Sequence, residues 1–309
     1  MTSSILPAAP RPGAAAAVIS AYEPGPNLPA LVRSLTDDGV AVVVVDDAST
    51  TPAGLAMLSE SGDAGAAVLR KERNTGIGDS LARGAATALD AGYSYILTLD
   101  QDSGVAAGYT ARAIGHLGEL ETLGHHPGLV VPARNSGELV RGLSAPGTDG
   151  AVTCLLPIQS GGVYPAAALR EVGAFRADFV MDAVDHDYAL RLRRAGWGVF
   201  AVMDLDLEHE LGEPQVRRVL GRSVMTTNHS RLRKYYQFRN RLVLVREHWR
   251  TDREGTAELL KGHVREMVRV VGFEQHRLRK AAILARASWH GMLGRTGHVD
   301  PQSFRRVQR

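Results

Sequence analysis

One stretch constrains this chain more than any other: Tyr95–Ser103, YILTLDQDS. Tyr95 to Leu99 is apolar and β-prone and holds neither Gly nor Pro, which reads as a buried strand. The run ends on Asp100, Gln101 and Asp102. Side chains alternate along a strand, so the two carboxylates are expected to point the same way from its C-terminal end. Paired carboxylates there offer hard oxygen ligands to Mg²⁺ or Mn²⁺, which usually arrive with a phosphate-bearing substrate. In open α/β sheets, ligands bind beyond the carboxyl ends of the strands. Taken alone, the same residues also describe a solvated turn.

The preceding chain repeats the pattern. Ala14–Ser20 reads as a first strand, followed by the turn formers Ala21-Tyr22-Glu23-Pro24-Gly25-Pro26-Asn27. Leu28, Leu31, Val32 and Leu35 then recur at helical spacing. Val40–Val45 is a second strand, Val-rich as a strand buried on both faces should be, and it stops at Asp46-Asp47. Pro52–Ser61 is a helix and Ala67–Leu69 a third strand. Asn74-Thr75-Gly76-Ile77-Gly78 opens a helix through about Ala91; the loop either contacts a phosphate or merely starts the helix. Four strands alternating with helices predict a doubly wound, mostly parallel sheet. Its strand ends would bring Tyr22, Asp47 and Asp102 to one rim. The first turn lacks G-x-G-x-x-G, which argues against a dinucleotide-binding dehydrogenase.

Further on, Leu129–Pro132 and Val152–Ile158 read as strands. Ser160-Gly161-Gly162 is a turn that could let backbone approach a ligand closely, and Pro165–Val172 is a short helix. Asp182 and Asp185 open a helix with Arg191, Arg193 and Arg194 near its end, a distribution that suits the helix dipole. Helix capping explains one of these acids better than both. Val199–Leu207 is a strand leading to His209, either a metal ligand or a hydrogen-bonded surface residue.

The net charge of +3 hides an asymmetry. Residues 1–216 hold 14 Lys/Arg against 26 Asp/Glu, and residues 217–309 hold 22 against 7. The first part is therefore at −12 and the second at +15. From Arg217 the chain reads as basic and helical. Tyr235, Tyr236, Phe238, Arg239, Asn240 and Arg241 sit together, with Trp249 beyond. Aromatics among bases suit a membrane interface; an ordinary helical subdomain and a nucleic-acid surface are the other readings. No zinc, RNA-recognition or helix-turn-helix signature supports nucleic acid. Cys154 is the one cysteine, so there is no internal disulfide and a reducing compartment fits. Residues 1–13 lack a secretory pattern and read as a disordered tail. The expected organisation is thus a tail at 1–13, a catalytic domain at 14–216 and a basic helical extension at 217–309.

Taken together, these residues resemble the family 2 inverting glycosyltransferases of the GT-A fold, most closely the bacterial rhamnosyltransferases that build surface polysaccharides. The likeness covers roughly 14–245. Its pieces run in family order: the strand ending at Tyr22, then Val45-Asp46-Asp47-Ala48-Ser49, Asn74-x-Gly76-x-Gly78, Leu99-Asp100-Gln101-Asp102-Ser103 and Ser160-Gly161-Gly162. Asp182-x-x-Asp185-x-Asp187-Tyr188, His209-x-x-Gly212 and Tyr235-Tyr236-x-x-Arg239-Asn240 follow.

The resemblance implies a Rossmann-like, mostly parallel sheet flanked by helices. It implies that Ser20, Tyr22 and Asp47 hold the nucleotide base and ribose of a dTDP- or UDP-linked sugar. Glu23, Asn74, Gly76, Gly78, Gln101, Gly161 and Gly162 belong to the same donor-binding set. Asp100 lies near the ribose or a metal-bound water. Asp102 and His209 coordinate Mg²⁺ or Mn²⁺ on the diphosphate. Asp185 stands where the family's base lies, but Val184 precedes it where many members carry Glu, so Asp182 competes for the role. Glu23 stands where Asn is common. The implied reaction is a single displacement onto a glycan or polyprenyl-diphosphate-linked acceptor at the cytoplasmic membrane face. A UDP-galactofuranose-type transferase, a nucleotidyltransferase and a non-enzymatic binding module are the alternatives. The nucleotidyltransferase would need an Arg-bearing loop after the first strand, and Ala21–Asn27 has none.

Overall fold

A computed structural model describes residues 6–9, 11–140, 142–209, 215–219, 222–226, 230–273 and 277–300; side chains at 208–226 and 273–279 lie outside that description. The chain divides into two compact units, 1–177 with 184–209, and 178–183 with 210–309.

The first unit is built on strands β1 (Ala15–Ala21), β2 (Ala41–Asp46), β3 (Ala67–Arg70) and β4 (Tyr95–Asp100), with helices α1 (Asn27–Asp37), α2 (Pro52–Asp63) and α3 (Ile77–Asp90) between them. All pairings among the four strands are parallel, in the order β3-β2-β1-β4. The expected doubly wound half is therefore present. β1 begins Ala-Ala-Ala, and these small side chains let α3 approach closely. A Cβ on Gly84 of α3 would lie 2.3 Å from Val18 Cγ1, so only glycine fits there. Leu28, Leu31, Val32 and Leu35 of α1 are all buried, as their spacing predicts.

Next come β5 (Ser103–Val105), α4 (Tyr109–Thr122), β6 (Pro127–Asn135), β7 (Glu138–Leu139), β8 (Gly162–Pro165), α5 (Ala166–Val172), α6 (Val184–Arg194) and β9 (Gly198–His209). β8 joins β4 antiparallel, and the sheet continues β8-β6-β9-β5. β6 and β9 run parallel, while β5 returns antiparallel on β9. Residues 152–158, expected to be a strand, make only isolated bridges, Leu143 with Cys154 and Thr153 with Phe200. Apolar content at Val152 and Cys154 serves burial there rather than a ladder. Residues 6–9, expected to be disordered, are held in place. Leu6 is buried, the Ala9 N–H donates to the Ala91 carbonyl at 2.8 Å, and the Tyr93 hydroxyl donates to the Pro7 carbonyl.

The second unit holds an antiparallel hairpin of β10 (Gln215–Val219) and β11 (Arg222–Thr226), then α7 (Arg231–His248), α8 (Arg253–Phe273) and α9 (Arg277–Met292). The helical reading from Arg217 is thus corrected. Val216, Val219, Val224 and Thr226 are β-branched and favour the extended chain. Tyr235, Tyr236 and Phe238 are 0–1% exposed and form the core with Val270, Ile283 and Leu284. Arg239 is also fully buried, its guanidinium donating to Gly297 O and Asn240 Oδ1 and lying 4.8 Å from the Tyr236 ring centroid. Those aromatics are therefore not the membrane-facing residues that the sequence suggested. Among the described residues no helix is long and apolar enough to cross a membrane.

Candidate active site

Parallel register brings the predicted strand ends to one rim. Ser20 of β1 pairs with Val45 of β2 on one side and with Asp100 of β4 on the other. Gln101 fastens this edge. Its amide accepts from the Tyr22 N–H at 2.7 Å and donates to the Tyr22 carbonyl at 3.2 Å, prolonging the β1–β4 ladder by a side chain. The Tyr22 ring is left half exposed.

Asp47 follows β2 and is buried. Its Oδ1 accepts from the Thr75 N–H and its Oδ2 from the Gly76 N–H, both at 2.8 Å. Lys71 Nζ lies 2.7 Å from Oδ1. Lys71 is itself 3% exposed in its side chain and donates to Thr75 Oγ1, Ser80 Oγ and Asp79 Oδ2. Burial pushes the Asp79 carboxyl up, but Thr75, Lys71 and Arg83 together hold it below the usual range. A buried ammonium persists only where carboxylates balance it. In this cluster the N–H groups of Thr75 and Gly76 turn inward to Asp47. Gly78 is buried inside α3, and Asn74 is exposed. Gly76 earns its place through φ +93°, a left-handed entry to α3 that favours glycine. Lys71 and Asp79 were missed in the sequence because Arg-Lys-Glu-Arg reads as a solvated charge run.

Glu23 is held by its own set of contacts. It sits at φ +46°, and its carboxylate accepts from the N–H and hydroxyl of both Thr50 and Thr51. The Thr51 hydroxyl first, then the Thr50 N–H, hold its carboxyl below the usual range. Glu23 thus ties the turn after β1 to the N-terminus of α2. Asp46 is fully buried and takes Arg70 Nε at 3.0 Å and the Ser49 N–H at 3.0 Å.

Asp100 ends β4, and its N–H donates to Ser160 Oγ at 3.0 Å. Gln101 and Asp102 form a turn rather than further strand, so the alternation argument reaches Asp100 but not Asp102. The turn places Ser103 opposite His209 in the β5–β9 ladder, which brings the backbone of the two expected metal ligands to neighbouring positions. The His209 side chain, and Gly212 after it, lie outside the described residues. Gly161 and Gly162 are buried. Gly161 has φ +84°, and a Cβ there would meet the Tyr109 hydroxyl at 2.7 Å. That hydroxyl donates to the Gly161 carbonyl. These glycines are needed for packing beneath Ser160, whose Oγ lies 2.7 Å from Ser103 Oγ.

Asp185 and Asp187 lie in the first turn of α6. Asp185 is one-fifth exposed, and its Oδ1 accepts from the His186 N–H at 2.8 Å. Asp187 is 1% exposed and bound by Arg191 at 2.8 Å and Arg176 at 3.5 Å. Asp182 belongs to the other compact unit. It precedes the helix, with φ +61°, and Ala183 follows at φ +67°. Two successive left-handed non-glycine residues store strain of roughly 1–3 kcal/mol each. The Asn240 amide holds them, donating to the carbonyls of Met181 and Asp182 at 2.9 and 3.0 Å. Gln237 donates to Asp182 Oδ1, and Arg233 lies 3.4 Å from Oδ2. The expectation that Asp182 and Asp185 share the first turn of one helix is therefore corrected: the left-handed pair ends the helix at Val184.

Comparison with known proteins places these features. Residues 16–174 match the model for glycosyl transferase family 2. The dTDP-rhamnosyl transferase RfbF of Shigella flexneri is 25% identical over 243 residues, spanning 75% of this chain and 79% of the relative. Among solved structures, S. aureus TarS 1–349 in complex with UDP-GlcNAc aligns with a TM-score of 0.57 at 15% identity, over 89% of this chain and 80% of that one. Against the longer TarS chain the match covers 47% of its length. The mannosyltransferase PcManGT from Pyrobaculum calidifontis, in complex with GDP-Man and Mn²⁺, aligns at 0.51 and 15% identity over 100% of this chain and 82% of its own. At such identities the structural likeness concerns the fold.

Proposed function

This chain belongs to glycosyl transferase family 2, and from that premise we propose that it moves L-rhamnose from dTDP-rhamnose to a glycan or polyprenyl-diphosphate-linked acceptor in cell-surface polysaccharide synthesis. The observation that carries the reading is the rim formed by Ser20, Asp47 and Asp100 at the C-terminal ends of parallel strands, with Asp102 in the next turn. The Shigella flexneri relative supports rhamnose as the sugar.

Ser20, the exposed Tyr22 ring and Asp47 hold the base and ribose in this reading. The donor set fits a hard divalent cation: two carboxylates at Asp100 and Asp102, with His209 across the β5–β9 ladder. Bound there, Mg²⁺ or Mn²⁺ supplies positive charge against the leaving diphosphate. Asp185 accepts the proton of the acceptor hydroxyl as that oxygen attacks the anomeric carbon. Attack comes from the face opposite the departing diphosphate, so configuration inverts and no covalent enzyme intermediate forms. The second compact unit meets the cytoplasmic face of an anionic membrane, where a lipid-linked acceptor would lie; the +15 balance of residues 217–309 supports this.

A panel of sugar nucleotides with Mg²⁺ or Mn²⁺, read out as free nucleoside diphosphate, tests the assignment. Preferential release from dTDP-rhamnose is expected. Release confined to a UDP-sugar would move the donor, and no release from any sugar nucleotide would overturn the reading.

A further inference from the structure

We propose that the outer face of α9, with Trp289, Met292 and Leu293 beside Arg286 and Arg295, is the surface that seats this chain on an anionic bilayer. The inference rests on the membrane reading above and gives it residues. Tyr235, Tyr236 and Phe238 cannot serve, because they are the core of their unit. Trp289 is 58% exposed, Met292 53% and Leu293 48%. Residues 289, 292 and 293 share one face by helical spacing, and Ala282 and Ala285, also exposed, extend it by two turns. Large apolar side chains in one contiguous exposed patch mark an interaction surface.

Charge selects the occupant. Arg286 and Arg295 are exposed beside the patch. Burial, then Arg295, Arg286 and Arg239, hold the His290 imidazole below its ordinary range, which reports a cationic neighbourhood. Indole at headgroup depth with guanidinium reaching lipid phosphate is the arrangement expected of an interfacial helix. A second copy packed face to face would set this cationic surface against itself. α8 carries another exposed stripe, Val264, Val268 and Val271. Among the described side chains that stripe has no aromatic residue. The α9 face is therefore the better match to an anionic surface.

The test uses the full chain in a Trp249→Phe background. Trp197 is buried, so Trp289 then supplies the exposed indole. Phosphatidylcholine vesicles with and without phosphatidylserine are the probes. The expected result is a blue shift of Trp289 emission, and quenching by brominated lipid, with the anionic vesicles only. Trp289→Ser with Met292→Ser should weaken partitioning about tenfold or more. Arg286→Gln and Arg295→Gln should weaken it about fivefold each at low salt. All four are surface changes, and an unchanged melt confirms the fold. If the unsubstituted chain does not float with anionic vesicles, the membrane reading falls and this inference with it. If it floats and the Trp289/Met292 variant floats equally well, the face is wrong and the membrane reading stands. Loss of binding in Val264→Ser with Val268→Ser alone would move the seat to α8. A concentration-dependent dimer abolished by Trp289→Ser would replace the bilayer by a second copy.

Discussion

The two compact units bury charge in opposite ways. In the sheet unit, carboxylates gather at strand ends and cations are recruited to them. Asp47 and Asp79 surround Lys71, and Asp46 takes Arg70. In the helical unit, cations are buried and the chain supplies what they need. Lys234 is paired with Glu266, and Arg239 lies between carbonyl and amide oxygens and two tyrosine rings. The physics is the same in both, since a desolvated charge must find partners. The consequence differs. In the proposed function the part-exposed acids at the sheet rim meet a metal and a hydroxyl, whereas cations inside a helical bundle hold helices together. Substitutions at the part-exposed rim acids of the sheet unit should therefore act on turnover, and those at the buried charges of either unit on stability.

The largest effect should come from the rim itself. EDTA should abolish transfer, and Mg²⁺ or Mn²⁺ should restore it. Asp102→Ala should stay inactive with either metal, as measured by nucleoside diphosphate release. Full activity in EDTA would remove the metal from the account.

Next is the base. Asp185→Asn preserves shape and should leave donor affinity nearly intact while lowering turnover about 10²–10⁴-fold. Asp182→Asn, in the helical unit, should cost less. A folded Asp182→Asn variant that binds donor but does not turn over, beside a normal Asp185→Asn, would break the comparison and exchange the roles.

Lys71→Met sharpens the comparison from the other side. It leaves Asp47 and Asp79 without their shared cation, and breaking such a buried pair costs about 3–5 kcal/mol. A denaturation midpoint close to that of the unsubstituted chain would show that Lys71 does not hold this loop.

The smallest effect belongs to the helical unit. Burial, assisted by Arg241, pushes the His263 imidazole from 6.5 down to about 4. The folded form thus binds its proton more weakly than the unfolded chain. Stability from this group is complete above about pH 6.5 and is lost as pH falls toward about 4. The loss is on the order of 1–2 kcal/mol after allowing for solvent screening. His263→Gln should flatten that part of the melting-temperature profile, and an unchanged profile would exclude His263 as its source.

Much of the sheet unit was legible in the sequence. Val-rich runs named the parallel strands, and the acids at their ends named the rim. Those signals are local, because a strand buried on both faces must be apolar throughout and ends where polarity begins. The roles of individual rim residues were not legible. Glu23, Gln101, Gly161 and Gly162 belong to the donor-binding set by motif, yet they tie down α2, the Tyr22 backbone and the turn beneath Ser160. A motif records which residue types recur in order, whereas a side chain's partner depends on which strands become neighbours.

In the helical unit the same limit is sharper. Tyr235, Tyr236 and Phe238 read as an interfacial cluster and became core, while Trp289 gave no signal of its own and is exposed. Composition alone determined that this chain has an acidic front and a basic end, and periodicity determined that the front is an α/β sheet. Tertiary structure alone decided which charges are buried together, where Asp102 turns out of its strand, and which aromatic side chains face water. The reason is that burial and charge pairing depend on contacts between segments far apart in the chain, and no local pattern of residues encodes which segments will meet.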